Sequence, residues 1–155
     1  GMEVRGLRRS AAAGRADGVE LVSDPASLVA GAHHVVVAAP ATARTHHMVD
    51  AELFGAMADG VHLVNIARGS LVDQDALRQA LDCGRVTRAT LDTCDPEPLA
   101  AGHWLYAHPG VRLSPHVSWS SPAMAERIIE LFLDNLRARR AGRPLAGVVD
   151  PVEGY

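Results

Sequence analysis

Short apolar segments alternate with helical stretches from one end of the chain to the other. Three helical stretches begin just after an aspartate, Asp24, Asp50 or Asp73, whose side chain can accept hydrogen bonds from the free N–H groups of a first turn. Apolar segments separated by helices are typical of a parallel sheet. The pattern therefore predicts an α/β fold with strands at residues 3–7, 19–22, 34–39, 62–66, 87–91 and 111–113.

Two segments stand out within this pattern. Residues 34–39, HVVVAA, are rich in β-branched side chains and show no polar alternation, which is typical of a strand covered on both faces of its sheet. Between Met124 and Leu136, apolar residues recur with helical spacing and predict one long amphipathic helix over residues 122–140. We expect residues 142–155 to form an extended arm.

Composition narrows the class of partner. The chain has 155 residues, of which 48% are hydrophobic and 21% charged, as in a globular domain. Its formal net charge of -3 favours neither nucleic acid nor an anionic membrane. The longest apolar run, residues 35–41, is too short for a membrane helix. All 15 basic residues are arginines, which excludes catalysis by a lysine. A small molecule or another subunit is the expected partner.

Neither the cysteines nor the histidines form a metal or disulfide motif. Cys83 and Cys94 match neither a disulfide scaffold nor a zinc motif, so we expect a reducing, cytoplasmic location. The histidine pairs at residues 33–34 and 46–47 lack the spacing of metal ligands, and adjacent residues of a strand point to opposite faces. The sequence therefore predicts no metal site, and it contains neither GxSxG nor GxGxxG.

In an open parallel sheet, ligands bind beyond the carboxyl ends of the strands. The residues that follow the predicted strands are therefore the first candidates for a functional site. They are Arg8, Arg9, Ser10, Ala39, Pro40, Arg68, Asp92 and His116.

Four side chains near these strand ends suit binding or catalysis. Arg68 lies on the turn IARGS and could bind a carboxylate or a carbonyl oxygen, or simply pair with Asp73. Glu97 lies between two prolines, as an orienting carboxylate requires, and Asp92 can cap a backbone or bind a ligand amide; either acid could equally face solvent. His116 suits acid–base catalysis because a histidine ordinarily titrates near neutral pH, or it is an ordinary structural histidine.

Six segments of the chain, in order, resemble the D-isomer-specific 2-hydroxyacid dehydrogenases. They are GMEVRGLRRS, HHVVVAAPATARTHH, VNIARGSLVDQDALRQAL, GRVTRATLDTCDPEPL, VRLSPHVS and VVDPVEGY. The resemblance implies a Rossmann-type, doubly wound parallel α/β sheet and hydride transfer between NAD(P)H and a small 2-keto or 2-hydroxy acid. It also implies a homodimer formed through the nucleotide-binding domain.

The family's catalytic set carries over to Arg68, Glu97 and His116. The resemblance implies that Arg68 holds the substrate carboxylate and polarises its keto oxygen, while His116 donates the proton. It also implies that Glu97 orients His116 and favours its protonated form, and that Asp92 accepts from the nicotinamide carboxamide. Cofactor-lining positions carry over to Ala39, Pro40, Thr45, Ile66 and Ser118.

The segment after the first predicted strand departs from the NAD-preferring pattern. Family members that prefer NAD carry an acid there, which accepts a hydrogen bond from the ribose 2′-hydroxyl. This chain has Arg8, Arg9 and Ser10, which suit a 2′-phosphate. We therefore expect NADP to be preferred over NAD.

The resemblance also implies an incomplete Rossmann sheet, since the match begins at the family's second strand and lacks the first strand with its GxGxxG turn. We expect residues 1–121 to be a partial NAD(P)-binding domain that carries the catalytic residues. Residues 122–155 would then return toward a substrate domain. The chain alone is expected to be inactive.

Two other functions fit parts of the sequence. A non-catalytic cofactor-sensing or dimerisation module derived from the same family would explain the fold, but not the presence of Arg68, Glu97 and His116 together. A flavodoxin-like domain would have an acidic cluster after its first strand or a hydroxyl-rich phosphate loop, and the sequence has neither.

Overall fold

The computed structural model describes residues 1–8 and 14–151, and the chain divides into two compact units, Gly1–Pro115 and His116–Tyr155. The functional division proposed at residues 121 and 122 stays a prediction. Within the described residues, the larger unit contains two sheets and three α-helices, and the smaller unit contains one long α-helix.

The first sheet has three strands in the order β1-β3-β2. Strand β1 pairs parallel with β3, and β2 pairs antiparallel with β3. The sequence did not predict β2, although Asp17-Gly18 joins it to β3 with positive φ angles of 51° and 82°. An Asp-Gly pair in this conformation is a strong signal for a two-residue hairpin. The strands are β1 (Arg5–Leu7), β2 (Gly14–Ala16) and β3 (Val19–Val22).

The second sheet has four strands, all parallel, in the order β4-β5-β6-β7. Its register places Val37, Asn65, Leu91 and Leu113 in one row across the carboxyl end of the sheet. The parallel α/β fold predicted from the sequence is confirmed. The strands are β4 (His34–Val37), β5 (Val61–Asn65), β6 (Val86–Leu91) and β7 (Val111–Leu113).

Each predicted aspartate cap is present at the start of its helix. The side chains of Asp24 and Asp50 accept from the N–H groups of Ser27 and Leu53, at 2.8 Å and 2.9 Å. Asp73 accepts from two N–H groups of its own first turn. The helices are α1 (Pro25–Val29), α2 (Ala51–Ala56) and α3 (Gln74–Asp82), with 3₁₀ turns at Gly69–Leu71 and Trp104–Tyr106.

One apolar core lies between the helices and one face of the four-stranded sheet. Val35, Val37 and Leu63 from the sheet belong to the same buried cluster as Phe54 of α2 and Leu77 of α3. The prediction that residues 34–39 are covered on both faces is wrong for the described chain. Alternate residues of a strand point to opposite faces, so Val36 lies on the uncovered face and is 58% exposed. Among the described strands, β4 pairs only with β5.

The smaller unit consists mainly of α4 (Met124–Arg140), as the helical spacing predicted. Residues 142–151 contain no helix or strand. The Asn135 side chain holds this segment by accepting from the Ala146 N–H at 2.8 Å and donating to the Ala146 carbonyl at 3.0 Å. Along the described residues, no helix combines the length and hydrophobicity needed to cross a lipid bilayer.

Candidate functional site

The carboxyl edge of the four-stranded sheet brings several of the predicted residues together. Backbone hydrogen bonding continues one residue beyond the strands: Ile66 donates to Val37 at 3.2 Å, Asp92 to Asn65 at 2.9 Å, and Ser114 to Leu91 at 3.0 Å. Ile66, Asp92 and Ser114 therefore follow one another in a row along this edge. This is the place where open parallel sheets bind their ligands.

Asp92 is a buried acid at the middle of this row. It is 4% exposed, and its carboxylate accepts a hydrogen bond of 2.5 Å from the Ser114 hydroxyl. A hydroxyl that donates to a carboxylate fixes the direction of the acid more firmly than a neutral pair would. The sequence prediction missed Ser114, although a hydroxyl residue directly after a strand is a signal that could have indicated it.

Arg68 lies on the turn that follows β5. Its backbone is extended, with φ -140° and ψ 148°, and its guanidinium is exposed and donates to the Ala67 carbonyl at 2.7 Å. The alternative partner, Asp73, uses its carboxylate to cap α3. The turn also bonds to the Asn65 side chain, a contact that the sequence prediction missed.

Gly69 packs this turn directly against the chain that leads to Glu97. A Cβ atom at residue 69 would lie 2.0 Å from the carbonyl carbon and oxygen of Cys94 and 2.5 Å from the Asp95 nitrogen. In addition, the Gln74 side-chain amide donates to the Asp95 carbonyl. The loops that carry Arg68 and Glu97 are therefore held against each other at backbone contact.

Glu97 is exposed between Pro96 and Pro98. Burial, and secondarily the negative charge of Glu97, raises the pKa of the neighbouring Cys94 thiol to about 11. Both effects disfavour the thiolate, so Cys94 remains a neutral thiol at physiological pH.

His116 is the first residue of the smaller unit. Its backbone is left-handed, with φ 52°, a conformation uncommon for a residue with a side chain but one that histidine adopts more readily than most. Its carbonyl accepts from the Trp119 indole N–H at 2.8 Å, a contact that the sequence did not indicate. Ser118, also predicted to line the cofactor site, is exposed in the same turn.

The remaining predicted cofactor residues lie at two other strand ends. The Thr45 hydroxyl donates to the Pro40 carbonyl at 2.7 Å and accepts from the Thr42 N–H at 2.8 Å, so it fixes the loop after β4. Ala39 is half-buried at the start of that loop. Arg8 is exposed directly after β1, whereas Arg9 and Ser10 lie outside the described residues.

An open groove of about 450 Å³ lies beyond the carboxyl end of β3. The hydrogen bond from the Ser27 N–H lowers the pKa of Asp24 at this groove, so its side chain is a carboxylate at neutral pH. The groove is lined by Gly14, Arg15, Glu20, Leu21, Val22, Ser23, Asp24 and Ser27. Five of these eight lining residues are polar or charged.

Comparison with known proteins identifies relatives of the chain. Residues 1–118 match the family described as D-isomer specific 2-hydroxyacid dehydrogenase, NAD binding domain. Glyoxylate/hydroxypyruvate reductase A of Serratia proteamaculans is 34% identical over 130 residues, which are 84% of this chain and 41% of that protein. The chain spans about two fifths of the length of this protein and of other curated relatives that it matches.

Two solved structures have the same fold over nearly the whole chain. A D-isomer specific 2-hydroxyacid dehydrogenase from Xanthobacter autotrophicus, in complex with NADPH and MES, is 33% identical with a TM-score of 0.87. The match covers 99% of this chain and 63% of that one. An NADPH-dependent glyoxylate/hydroxypyruvate reductase from Sinorhizobium meliloti, in complex with NADP and sulfate, is 27% identical with a TM-score of 0.86, covering 100% and 50%.

The close approach at Gly69 predicts a strong effect of a single methyl group. We expect Gly69→Ala to lower the free energy of unfolding by about 3 kcal/mol, because the new Cβ would overlap the Cys94 backbone, which has no flexible end to move aside. Urea denaturation measures the change. The matched control is Gly55→Ala in α2, where a Cβ meets nothing within 4 Å and alanine should be neutral or stabilising. Equal stability of the two variants would contradict the prediction.

The raised pKa of Cys94 predicts slow alkylation. At pH 8, three units below a pKa of about 11, only about one Cys94 thiol in a thousand is ionised, so iodoacetamide should label it far more slowly than the exposed Cys83. Mass spectrometry after trypsin separates the two cysteines, since Arg85 and Arg88 lie between them. Glu97→Gln should accelerate labelling of Cys94 without bringing it to the rate of Cys83. Equal rates for both cysteines in the unchanged protein would refute this assignment.

Proposed function

Because the chain belongs to the D-isomer specific 2-hydroxyacid dehydrogenases through its NAD binding domain, we propose that the protein transfers a hydride between a nicotinamide cofactor and a small 2-keto or 2-hydroxy acid. The observation that carries the proposal is the aligned carboxyl edge of the sheet. There, the buried acid Asp92 lies beside the strand whose turn presents the exposed guanidinium of Arg68.

The residues of this edge fit the nicotinamide end of the cofactor. Asp92 offers a carboxylate held in one direction by Ser114, which suits an amide N–H donor. Ile66, next to it in the row, is 46% exposed and offers an apolar contact for a ring. When bound, the nicotinamide supplies the hydride chemistry, which no protein side chain can.

Arg68 is proposed to bind the substrate. Its guanidinium is exposed and bonds only to a neighbouring carbonyl among the contacts described, so it can turn toward a carboxylate at little cost. A carboxylate accepts two parallel hydrogen bonds from this group, and a further N–H can polarise the keto oxygen. The backbone that carries the guanidinium is rigid because Gly69 packs on the Cys94 backbone.

His116 is proposed as the general acid, which gives a proton to the substrate's keto oxygen during reduction and removes it during oxidation. The resemblance to the family supports this role, as it supports Glu97 as the residue that orients His116. Its left-handed backbone supports it too, since residues in uncommon conformations are often found at functional sites. The expected homodimer and the expected cytoplasmic location stay predictions.

Substituting the proposed catalytic groups tests the reaction. In the complete gene product, with glyoxylate or hydroxypyruvate and NADPH, we expect His116→Ala to lower kcat by about 10²-fold to 10⁴-fold. Arg68→Ala should raise the KM for the keto acid. The sequence contains no GxGxxG turn, so we expect this chain to be inactive on its own.

Fluorescence titration provides the control for this experiment. NADPH affinity should stay within about twofold in both variants, since neither group is proposed to bind the cofactor. His33→Ala, which removes an exposed histidine, should leave kcat unchanged. Wild-type turnover in His116→Ala would refute the mechanism, and a complete protein that binds NADPH but reduces neither acid would favour a cofactor-sensing module.

We also propose that NADP is preferred over NAD, with Arg8, Arg9 and Ser10 as the ligands of the 2′-phosphate. Arg8 follows the carboxyl end of β1 and is exposed. Guanidinium groups form charge-assisted hydrogen bonds with phosphates, whereas an acid at this point would repel one. Two relatives whose structures contain NADPH or NADP are consistent with this preference.

Arg8→Ala should therefore reduce the preference for NADPH over NADH. We expect the ratio of kcat/KM for the two cofactors to fall by about tenfold, the effect of losing one good ion contact with a phosphate. Arg112→Ala, which removes an exposed arginine of β7, serves as the matched control and should leave the ratio unchanged. Equal affinity of the unchanged protein for both cofactors would overturn the assignment.

A further inference from the structure

Asn65 is a buried polar residue at the end of β5, immediately before the turn that carries Arg68. It is 1% exposed, and it is the only asparagine in the larger unit. Both ends of its side-chain amide bond the turn. The oxygen Oδ1 accepts from the Ala67 N–H at 3.0 Å, and the nitrogen Nδ2 donates to the Arg68 carbonyl at 2.9 Å.

These two bonds fix the Ile66–Ala67 and Arg68–Gly69 peptide groups, which lie at the two ends of the Ala67-Arg68 segment. The side chain of Arg68 itself is left exposed, with its guanidinium on the Ala67 carbonyl. The backbone that carries Arg68 is therefore fixed, while its side chain can still move. Such an arrangement places a binding group accurately and still lets it reach its ligand.

The bonding requires an asparagine. The turn presents one N–H donor and one carbonyl acceptor to a buried side chain, and only a short amide supplies an acceptor and a donor in the matching positions. Aspartate would place a carboxylate oxygen against the Arg68 carbonyl. Serine is too short to reach both groups.

We propose that Asn65 is the positioning residue for Arg68, so that it sets the affinity for the carboxylate of the 2-keto acid. This inference rests on the proposed function of Arg68. Asn65 contacts Asp92 only through its backbone carbonyl among the hydrogen bonds described, and a substitution leaves that carbonyl in place. Substitution of Asn65 should therefore change the KM for the keto acid and leave the KM for the nicotinamide cofactor unchanged.

Steady-state kinetics of the complete gene product test the separation. For Asn65→Asp and Asn65→Ser we expect the KM for glyoxylate, and the Kd for the unreactive analogue oxamate in the presence of NADPH, to rise by about tenfold. The KM for NADPH should stay within about twofold. A residue that only stabilised the fold would lower the active fraction and leave both KM values unchanged.

Asn135→Asp is the matched control. Asn135 bonds one N–H and one carbonyl of Ala146 in the same way, but it lies in the smaller unit and is half-buried on α4. The substitution therefore makes the same change as Asn65→Asp, loss of the donor to a backbone carbonyl, in a segment with no proposed part in substrate binding. We expect wild-type KM values for both substrates in this variant.

The outcomes separate this inference from the proposed function. Suppose that the unchanged protein reduces glyoxylate and that Arg68→Ala impairs this reduction. The positioning role is then wrong if both Asn65 variants keep the wild-type KM for glyoxylate, or if they shift the KM for NADPH by as much as the KM for glyoxylate. If neither Asn65 variant folds, Asn65 is a folding residue and the role is likewise wrong. If the unchanged protein neither reduces glyoxylate nor binds oxamate, the proposed function itself fails.

Discussion

The register of the parallel sheet is the constraint on which the candidate site depends. Val37, Asn65, Leu91 and Leu113 end their strands in one row, and backbone hydrogen bonds carry the chain one residue further at three of the four ends. Because side chains alternate along a strand, a slip of one residue would turn Asp92 toward the opposite face. The register is maintained by the buried face of the same strands, where Leu63 and Ala89 are fully buried. Packing on one face of the sheet therefore determines the chemistry at its edge.

The turn after β5 and the loop after β6 are held in place by this edge and by contact with each other. Asn65 holds the turn after β5 through its side chain and the start of the loop after β6 through its backbone. Gly69 then brings the two loops into backbone contact at Cys94. At this contact, burial, and secondarily the negative charge of Glu97, raises the pKa of the Cys94 thiol and keeps it protonated. The site is thus assembled from short-range contacts among residues that are far apart in sequence only because each follows a different strand.

Much of the fold could be predicted from the sequence because its signals are local. The aspartate caps of α1, α2 and α3 and the helical spacing of α4 each depend on a few neighbouring residues, and the structure confirms them. Strand β2 was missed although Asp17-Gly18 is a local signal, because the segment contains too few apolar residues to suggest a strand.

The parts that could not be predicted depend on distant residues. Ser114 and Asn65 matter because of what their side chains contact, and neither contact follows from the spacing of residues along the chain. The coverage of β4 was predicted wrongly for a related reason. An apolar run such as HVVVAA indicates that a strand can be buried on both faces, but it does not specify which elements cover each face.

The uncovered side of β4 has a consequence for how the chain behaves in solution. Among the described strands, β4 lies at the edge of its sheet, so no described strand pairs with the backbone groups on its outer side. Its residue Val36 is also exposed. Such an edge is a template onto which another extended segment can add by ordinary sheet hydrogen bonding. HVVV contains neither proline nor lysine, which discourage such pairing at natural sheet edges, so the sequence of the strand itself does not oppose it.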